Sequence, residues 1–304
     1  DLALSISGLR TGIRTKDGIL YPVDGVSLTI PKGKIVGLVG ESGCGKSMMA
    51  NSIMNLLPRN GYVEKGSILF KGMDLAVSPD HEKRKLYGDR ITLIVQDPMT
   101  SLNPVLRVGR QVEEVLRLHK TLSREEAKHQ VIEMFRSLGI PEPEKRYNSF
   151  PHQLSGGLRQ RVMISAAMIC RPDVLIADEP TTALDVTIEA QILRLMKRLQ
   201  REENTAVLLI THDLELALEA ADRIVVFYAG TNVEEASVSD FEEEERLRHP
   251  YTKALFRAMP QHGFVPVSGS QPYGKDFPAG CPYAARCELA DGACGKEVRS
   301  EEHT

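Results

Sequence analysis

Five apolar residues, Ile35-Val36-Gly37-Leu38-Val39, run directly into Gly40-Glu41-Ser42-Gly43-Cys44-Gly45-Lys46-Ser47, and no other stretch constrains the fold as strongly. A buried strand that enters a glycine-rich turn and leaves as a helix gathers backbone N–H groups, and the positive end of the helix dipole, around one anion. Glycines at 40, 43 and 45 let the backbone aim those N–H groups at the β- and γ-phosphates of a nucleotide. Lys46 adds a point charge, and Ser47 offers a hydroxyl to Mg²⁺. A helix predicted from Ser47 to Leu57, ended by Pro58, completes the strand–loop–helix context that a chance glycine-rich turn would lack. The nucleotide-lining set expected is therefore Gly40, Ser42, Gly43, Cys44, Gly45, Lys46, Ser47 and Met48, with Cys44 at a position that brings no chemistry of its own.

At 304 residues and 42% hydrophobic content the chain can build one large domain or two. Its formal charge of −3 gives no overall basic face, so nucleic acid is not favoured as a partner. No N-terminal apolar run resembles a signal peptide. The longest apolar runs, such as Ala206 to Ile210, are far shorter than the ~20 residues that span a bilayer. Any membrane path would have to come from another chain. Five cysteines without a secretory signal point to a reducing compartment, where clustered thiols more often bind metal than pair.

Residues 1 to about 90 read as strands and turns leading into the loop helix. Residues from about 98 to 160 read as largely helical, with Leu116, Val131, Met134, Phe135 and Leu138 at helical spacing. From about 160 to 230 strands and helices alternate, as in a doubly wound sheet, with strands at 174–177, 206–210 and 224–228. Ile188, Ile192, Leu195 and Leu199 mark one helix face between them. Glu242 to Glu245 reads as a solvated face. Beyond Pro260 periodicity fades into Gly, Pro and Ser, and no internal repeat is present.

Asp178 ends an apolar strand, a position that suits a Mg²⁺ ligand beside the glycine loop, and Glu179 next to it is the candidate base for an attacking water. Ser155-Gly156-Gly157 before a helix forms a second anion-binding N-terminus, and one nucleotide has no evident use for both. The run Leu154-Ser155-Gly156-Gly157-Leu158-Arg159-Gln160-Arg161 lies between the phosphate loop and the acidic pair, and in that order the three resemble the ATP-binding-cassette (ABC) family over roughly residues 1 to 260. The resemblance implies an α/β fold: a P-loop ATPase with a RecA-like parallel sheet core, an antiparallel β subdomain, a helical signature subdomain and a small loop-rich C-terminal extension. It implies a nucleotide-binding domain over 1–240, with its helical part at about 98–160, and an extension over 241–304. Pro180-Thr181-Thr182-Ala183-Leu184-Asp185 matches the family's catalytic stretch after Glu179. By resemblance His212 is the switch histidine on the γ-phosphate, Gln96 the glutamine that reaches Mg²⁺ and water, and Ser155, Gly156, Gly157 and Asp185 close on ATP held by a second subunit. Mg²⁺ would be held by Ser47, Gln96 and Asp178. Tyr21, the only aromatic residue ahead of the loop, is a guess for the adenine contact, with a packing or surface role as its alternative.

Within the family the chain is most similar to ATPase subunits of oligopeptide, dipeptide and nickel importers. Gln96-Asp97-Pro98-Met99-Thr100-Ser101-Leu102-Asn103-Pro104, Pro151-His152-Gln153-Leu154 and His249-Pro250-Tyr251-Thr252-Lys253-Ala254-Leu255 carry that likeness. Tyr228-Ala229-Gly230 and Val233-Glu234-Glu235 also fit, although Ala236 stands where that group has glycine. The implied partners are two transmembrane permease subunits, a second ATPase (a paralogue or an identical chain) and, indirectly, a substrate-binding protein. The implied location is the cytoplasmic face of the cell membrane, held peripherally. Cargo stays open between peptides, nickel complexes and other solutes. A soluble ABC ATPase acting on DNA or ribosomes is the reading from another class. Cys281, Cys287 and Cys294 cluster in the tail, and several dipeptide-importer ATPases carry a [4Fe–4S] cluster in a similar segment. Such a cluster needs four thiolates, which leaves one position to a cysteine past Thr304 or to His303; zinc is an alternative metal, and unligated thiols are the remaining alternative.

Overall fold

The computed structural model of the chain describes residues 1–96, 101–181, 184–272 and 277–296. Asp97 to Thr100, Thr182, Ala183 and His303, each named above, lie outside the described residues. The chain divides into two compact units. One comprises Asp1, Lys32–Lys34 and Ser78–Leu208; the other comprises Leu2–Pro31, Ile35–Val77 and Leu209–Thr304.

In the second unit β1 (Leu2–Thr15) and β2 (Gly18–Pro31) form a long hairpin. With β4 (Gly61–Phe70) and β5 (Met73–Asp74) they make a four-stranded antiparallel sheet in the order β2-β1-β4-β5. The expected parallel strand is β3 (Ile35–Val39), buried at all five positions as a strand covered on both faces must be. It pairs in parallel with β9 (Arg223–Tyr228), and β10 (Thr231–Ser237) adds to β9 antiparallel. After the glycine loop, α1 runs from Lys46 to Ile53. It stops earlier than the proline suggested. Asn55 adopts φ +56°, and the Leu56 N–H donates to the Asn51 carbonyl at 2.8 Å, so a left-handed cap closes the helix before Pro58 is reached.

The tail is less loose than its composition indicated. Tyr228, Tyr251 and Tyr283 pack ring to ring with centroids 4.5 to 5.3 Å apart. They share one apolar cluster with Val39, Phe241, Phe256, Cys281 and Cys294. Of the acidic run, Glu244 binds Arg257 through both carboxylate oxygens while its neighbours face solvent. The helix α9 (Pro250–Ala258) is capped by His249, whose Nδ1 accepts from the Tyr251 N–H at 3.1 Å. Buried Glu234 accepts from the N–H groups of Arg248 and His249.

Burial pushes the His249 imidazole down to about 4. The unfolded chain binds that proton from about pH 6.5 and the folded chain does not, so the stabilisation is complete above pH 6.5 and is lost as pH falls toward 4. The full difference is about 3 kcal/mol. His249→Asn keeps a capping acceptor but cannot take a proton. Melting temperatures between pH 6.5 and 4 should fall less steeply for this variant than for wild type; parallel curves would assign the acid sensitivity to other groups.

In the first unit β6 (Ile91–Ile94) pairs in parallel with β7 (Val174–Asp178). Its described residues include the helices α2 (Asp80–Leu86), α3 (Val108–His119), α4 (Arg124–Ser137), α5 (Pro143–Tyr147), α6 (Gly156–Met168) and α7 (Val186–Glu203). Leu116, Val131, Phe135 and Leu138 are buried, as their helical spacing required, and Val112 joins them; Met134 is half-buried. Ser123 and Glu126 close α4 with a reciprocal capping box. The strand β8 (Ala206–Thr211) runs across the unit boundary, and α8 (Leu214–Ala220) follows it. Among the described residues no helix is long and apolar enough to cross a membrane.

Candidate nucleotide site

The second unit carries the phosphate loop. Gly45 is the N-cap of α1, with φ +110°, so the N–H groups of Lys46, Ser47 and Met48 open the helix without intrahelical acceptors. A Cβ at Gly45 would stand 2.0 Å from the Pro22 carbonyl oxygen, which leaves room for backbone alone. This cradle fits a phosphate group. Lys46 is buried, and its ammonium donates to the carbonyls of Gly40 at 2.7 Å and Glu41 at 2.9 Å. Ser42, Gly43 and Ser47 are exposed, and Met48 is half-buried. Burial pushes the Cys44 thiol up, against the pull of Lys46, so Cys44 stays protonated and inert near neutral pH.

His212 is exposed one residue past β8. The turn that presents it is fixed on both sides: the Asp213 N–H donates to Thr211 Oγ1 at 3.0 Å, and Asp213 caps α8 through the Leu216 N–H at 3.1 Å. Tyr21 is half-buried on β2. The Arg10 guanidinium lies 3.8 Å over its ring, and its hydroxyl donates to Glu64 at 2.9 Å.

The first unit carries the acidic pair. Asp178 ends β7 and is buried; Glu179 follows at φ +46°, a left-handed conformation uncommon outside glycine. Gln96 lies two residues beyond the end of β6, and its side-chain amide donates to Glu179 Oε2 at 2.7 Å. Two expected residues 83 positions apart thus meet directly.

The glycine pair opens α6. Ser155 is its N-cap, accepting from the Leu158 N–H at 3.4 Å, and Asp185 caps α7 in the same way through the Ile188 N–H at 3.0 Å. A Cβ on Gly157 would come within 2.9 Å of Ile188 Cγ2, so the starts of α6 and α7 are packed against each other. Signature loop and Asp185 therefore form one local structure.

The tail cysteines are all free; Cys281 and Cys294 are buried and joined by a Cys281 N–H to Cys294 carbonyl bond of 2.8 Å. Burial pushes the Cys287 thiol up. Among the described residues no group of three or more His, Cys, Asp and Glu side chains is disposed to hold a metal ion. The arrangement of the three cysteines thus gives the expected [4Fe–4S] cluster no support. Three residues not foreseen, Tyr251, Gln271 and Arg286, reach the phosphate loop from the tail. No spacing or pattern in the sequence points from them to it.

Comparison with known proteins places these features. Residues 23–182 match the family described as ABC transporter, and residues 233–294 match the family described as oligopeptide/dipeptide transporter, C-terminal region. The dipeptide transport ATP-binding protein DppD of Bacillus subtilis is 46% identical over 99% of this chain and 92% of its own length. The oligopeptide transport ATP-binding protein OppD of Escherichia coli is 42% identical over 100% of this chain and 91% of its own. Among solved structures, the dimeric post-hydrolysis state of the ATP-binding cassette MJ0796 bound to ADP and Pi is 29% identical. It superposes with a TM-score of 0.70 over 77% of this chain and 98% of that one. The cbiO1 subunit of the Clostridium perfringens cbiONQ transporter complex is 25% identical, with a TM-score of 0.68 over 84% and 99% of the two chains. Loop, acidic strand end and C-terminal region therefore have one common explanation: this chain belongs to the ABC transporter family and is one of its ATPases, of the oligopeptide/dipeptide branch.

Proposed function

We propose that this chain is the ATP-hydrolysing subunit of an importer that takes up di- or oligopeptides across the cytoplasmic membrane. The observation that carries the reading is the union, in one chain, of an intact hydrolytic pair, Gln96 on Glu179, with the tail region shared with dipeptide and oligopeptide transport ATPases. Gly40 through Met48 take the triphosphate on backbone N–H groups, and Lys46 exchanges its loop carbonyls for phosphate oxygens. Ser47, Asp178 and Gln96 are hard oxygen donors of the kind Mg²⁺ prefers. Mg²⁺, when bound with ATP, neutralises charge on the transferred phosphoryl group. Glu179 takes the proton of the attacking water, and Gln96 fixes the direction of its carboxylate. His212 contacts the γ-phosphate, and Tyr21 offers a ring for the adenine beside Arg10.

Ser155, Gly156, Gly157 and Asp185 act on the ATP of a second ATPase subunit; the dimeric assembly named for the MJ0796 cassette supports this role. Two permease chains supply the membrane path, since the described residues include no spanning helix. The chain then works peripherally on the cytoplasmic face, and a binding protein delivers cargo to the permease. In this reading the nucleotide-binding domain covers 1–240, its helical part about 98–160, and the extension 241–304. The [4Fe–4S] cluster on Cys281, Cys287 and Cys294 rests on the family resemblance alone, and no step above depends on it.

One purification tests both layers. The tagged chain, recovered from gently solubilised membranes without oxygen, should bring down two polytopic permease chains and a second ATPase. Recovery only with ribosomes or DNA would overturn the import reading. Iron measured on the same sample should approach four atoms per chain and vanish when Cys281, Cys287 and Cys294 are all serine; no iron in wild type ends the cluster proposal.

A further inference from the structure

The phosphate loop is gripped from outside by the chain's own C-terminal extension. Arg286, next to Cys287, reaches Glu41 across 245 residues of sequence: Nη1 donates to Oε2 and Nη2 to Oε1, both at 2.8 Å. Nε donates to the Ser268 carbonyl at 2.7 Å, Nη1 also to the Tyr228 hydroxyl at 3.2 Å, and Nη2 also to the Val267 carbonyl at 3.2 Å. Every donor of the guanidinium is used, and the side chain is 5% exposed. Beside it, Gln271 Nε2 donates to the Ser42 carbonyl at 2.8 Å, and the Glu41 N–H donates to the Tyr251 hydroxyl at 3.2 Å.

These contacts fall on the two residues that follow Gly40, while Lys46 holds the Glu41 carbonyl from within the loop. An exposed ion pair would add little. This one is different in two respects. Its bidentate geometry fixes the direction of the Glu41 side chain, and with it the local backbone. It also cancels a carboxylate that would otherwise stand within the loop that receives a highly charged polyphosphate.

We propose that Arg286 and Gln271 are positioning residues of the nucleotide site. The extension sets the shape of the phosphate loop and neutralises Glu41, so ATP affinity depends on a segment that follows the ATPase core. The proposal rests on Gly40 to Ser47 being the triphosphate loop.

The test uses the purified full chain, titrated with a fluorescent ATP analogue and assayed for ATP turnover. Arg286→Gln should weaken binding and raise KM about tenfold, equivalent to about 1.4 kcal/mol, with kcat within about twofold. Glu41→Gln in the same chain removes the stranded charge and should recover most of that loss, a non-additivity that a merely structural arginine would not show. Gln271→Ala, which removes the hydrogen bond to the Ser42 carbonyl, should raise KM about threefold, roughly half of that effect in free energy. Wild-type affinity in a folded Arg286→Gln variant overturns the proposal; if that variant does not fold, wild-type affinity in Gln271→Ala does. Lys46→Ala separates the two levels of argument. It should abolish binding, and if it does not, the loop assignment itself fails and this proposal falls with it.

Discussion

Glu179→Gln is expected to lower ATP turnover by a factor of about a thousand, within the range of general-base removal, while leaving ATP affinity near wild type. The substitution keeps size and shape, and the new side-chain carbonyl can still accept the Gln96 amide that now donates to Oε2 at 2.7 Å. What is lost is the capacity to take a proton from water. Glu179 also sits at φ +46°, so its direction is set by the backbone as well as by Gln96. Because only the chemical step is removed, ATP should stay bound and hold two ATPase subunits together. Size-exclusion chromatography with ATP and Mg²⁺ should show a stable pair for the variant and a transient one for wild type. Turnover within about threefold of wild type would remove Glu179 from the role of base. It would leave Gln96 holding a residue with another task.

The parts of this site that could be read from sequence are those fixed by neighbouring residues. Ile35 to Val39 before the glycines, and Val174 to Ala177 before Asp178, announce strand ends, because an all-apolar run of that length must be buried on both faces. Once a strand end is known, the residues just beyond it are at a sheet's edge, and Glu179 and His212 follow. Helix lengths were less legible. The end of α1 depends on Asn55 adopting a left-handed conformation, which Asn tolerates but does not announce. The Gln96–Glu179 bond and the grip of Arg286 on Glu41 were not legible in any pattern, since each joins residues 83 or 245 positions apart. The tail shows the same limit. Its composition reads as loop, but Tyr228, Tyr251 and Tyr283 give it a core that only folding assembles. Local periodicity carries no information about such contacts.

Gly45→Ala should abolish ATP binding, and Gly43→Ala should not, although both glycines have positive φ. At Gly43, φ +80°, an added methyl meets only the Gln271 side-chain amide at 3.5 Å, an ordinary contact. Its cost is backbone strain, about 1–2 kcal/mol, or roughly tenfold in affinity. At Gly45, φ +110°, the methyl would stand 2.0 Å from the Pro22 carbonyl oxygen and 3.3 Å from Phe227 Cε1. That wall has little freedom to retreat. Pro22 lies on β2, the Asp24 N–H donates to the Gly230 carbonyl at 2.7 Å, and the Gly230 N–H donates to the Cys44 carbonyl at 2.8 Å. Relief must therefore come from the loop, and moving Gly45 displaces the first N–H groups of α1 together with Lys46. A loss of at least a hundredfold, about 3 kcal/mol, is expected for Gly45→Ala, with the fold preserved because the loop rather than the sheet gives way. Titration with the ATP analogue and a thermal melt on both variants measure this. Equal losses would mean that the loop fails through left-handed strain alone. A larger loss at Gly43 would mean that the exposed side of the loop, toward Gln271, is where the phosphate geometry is set.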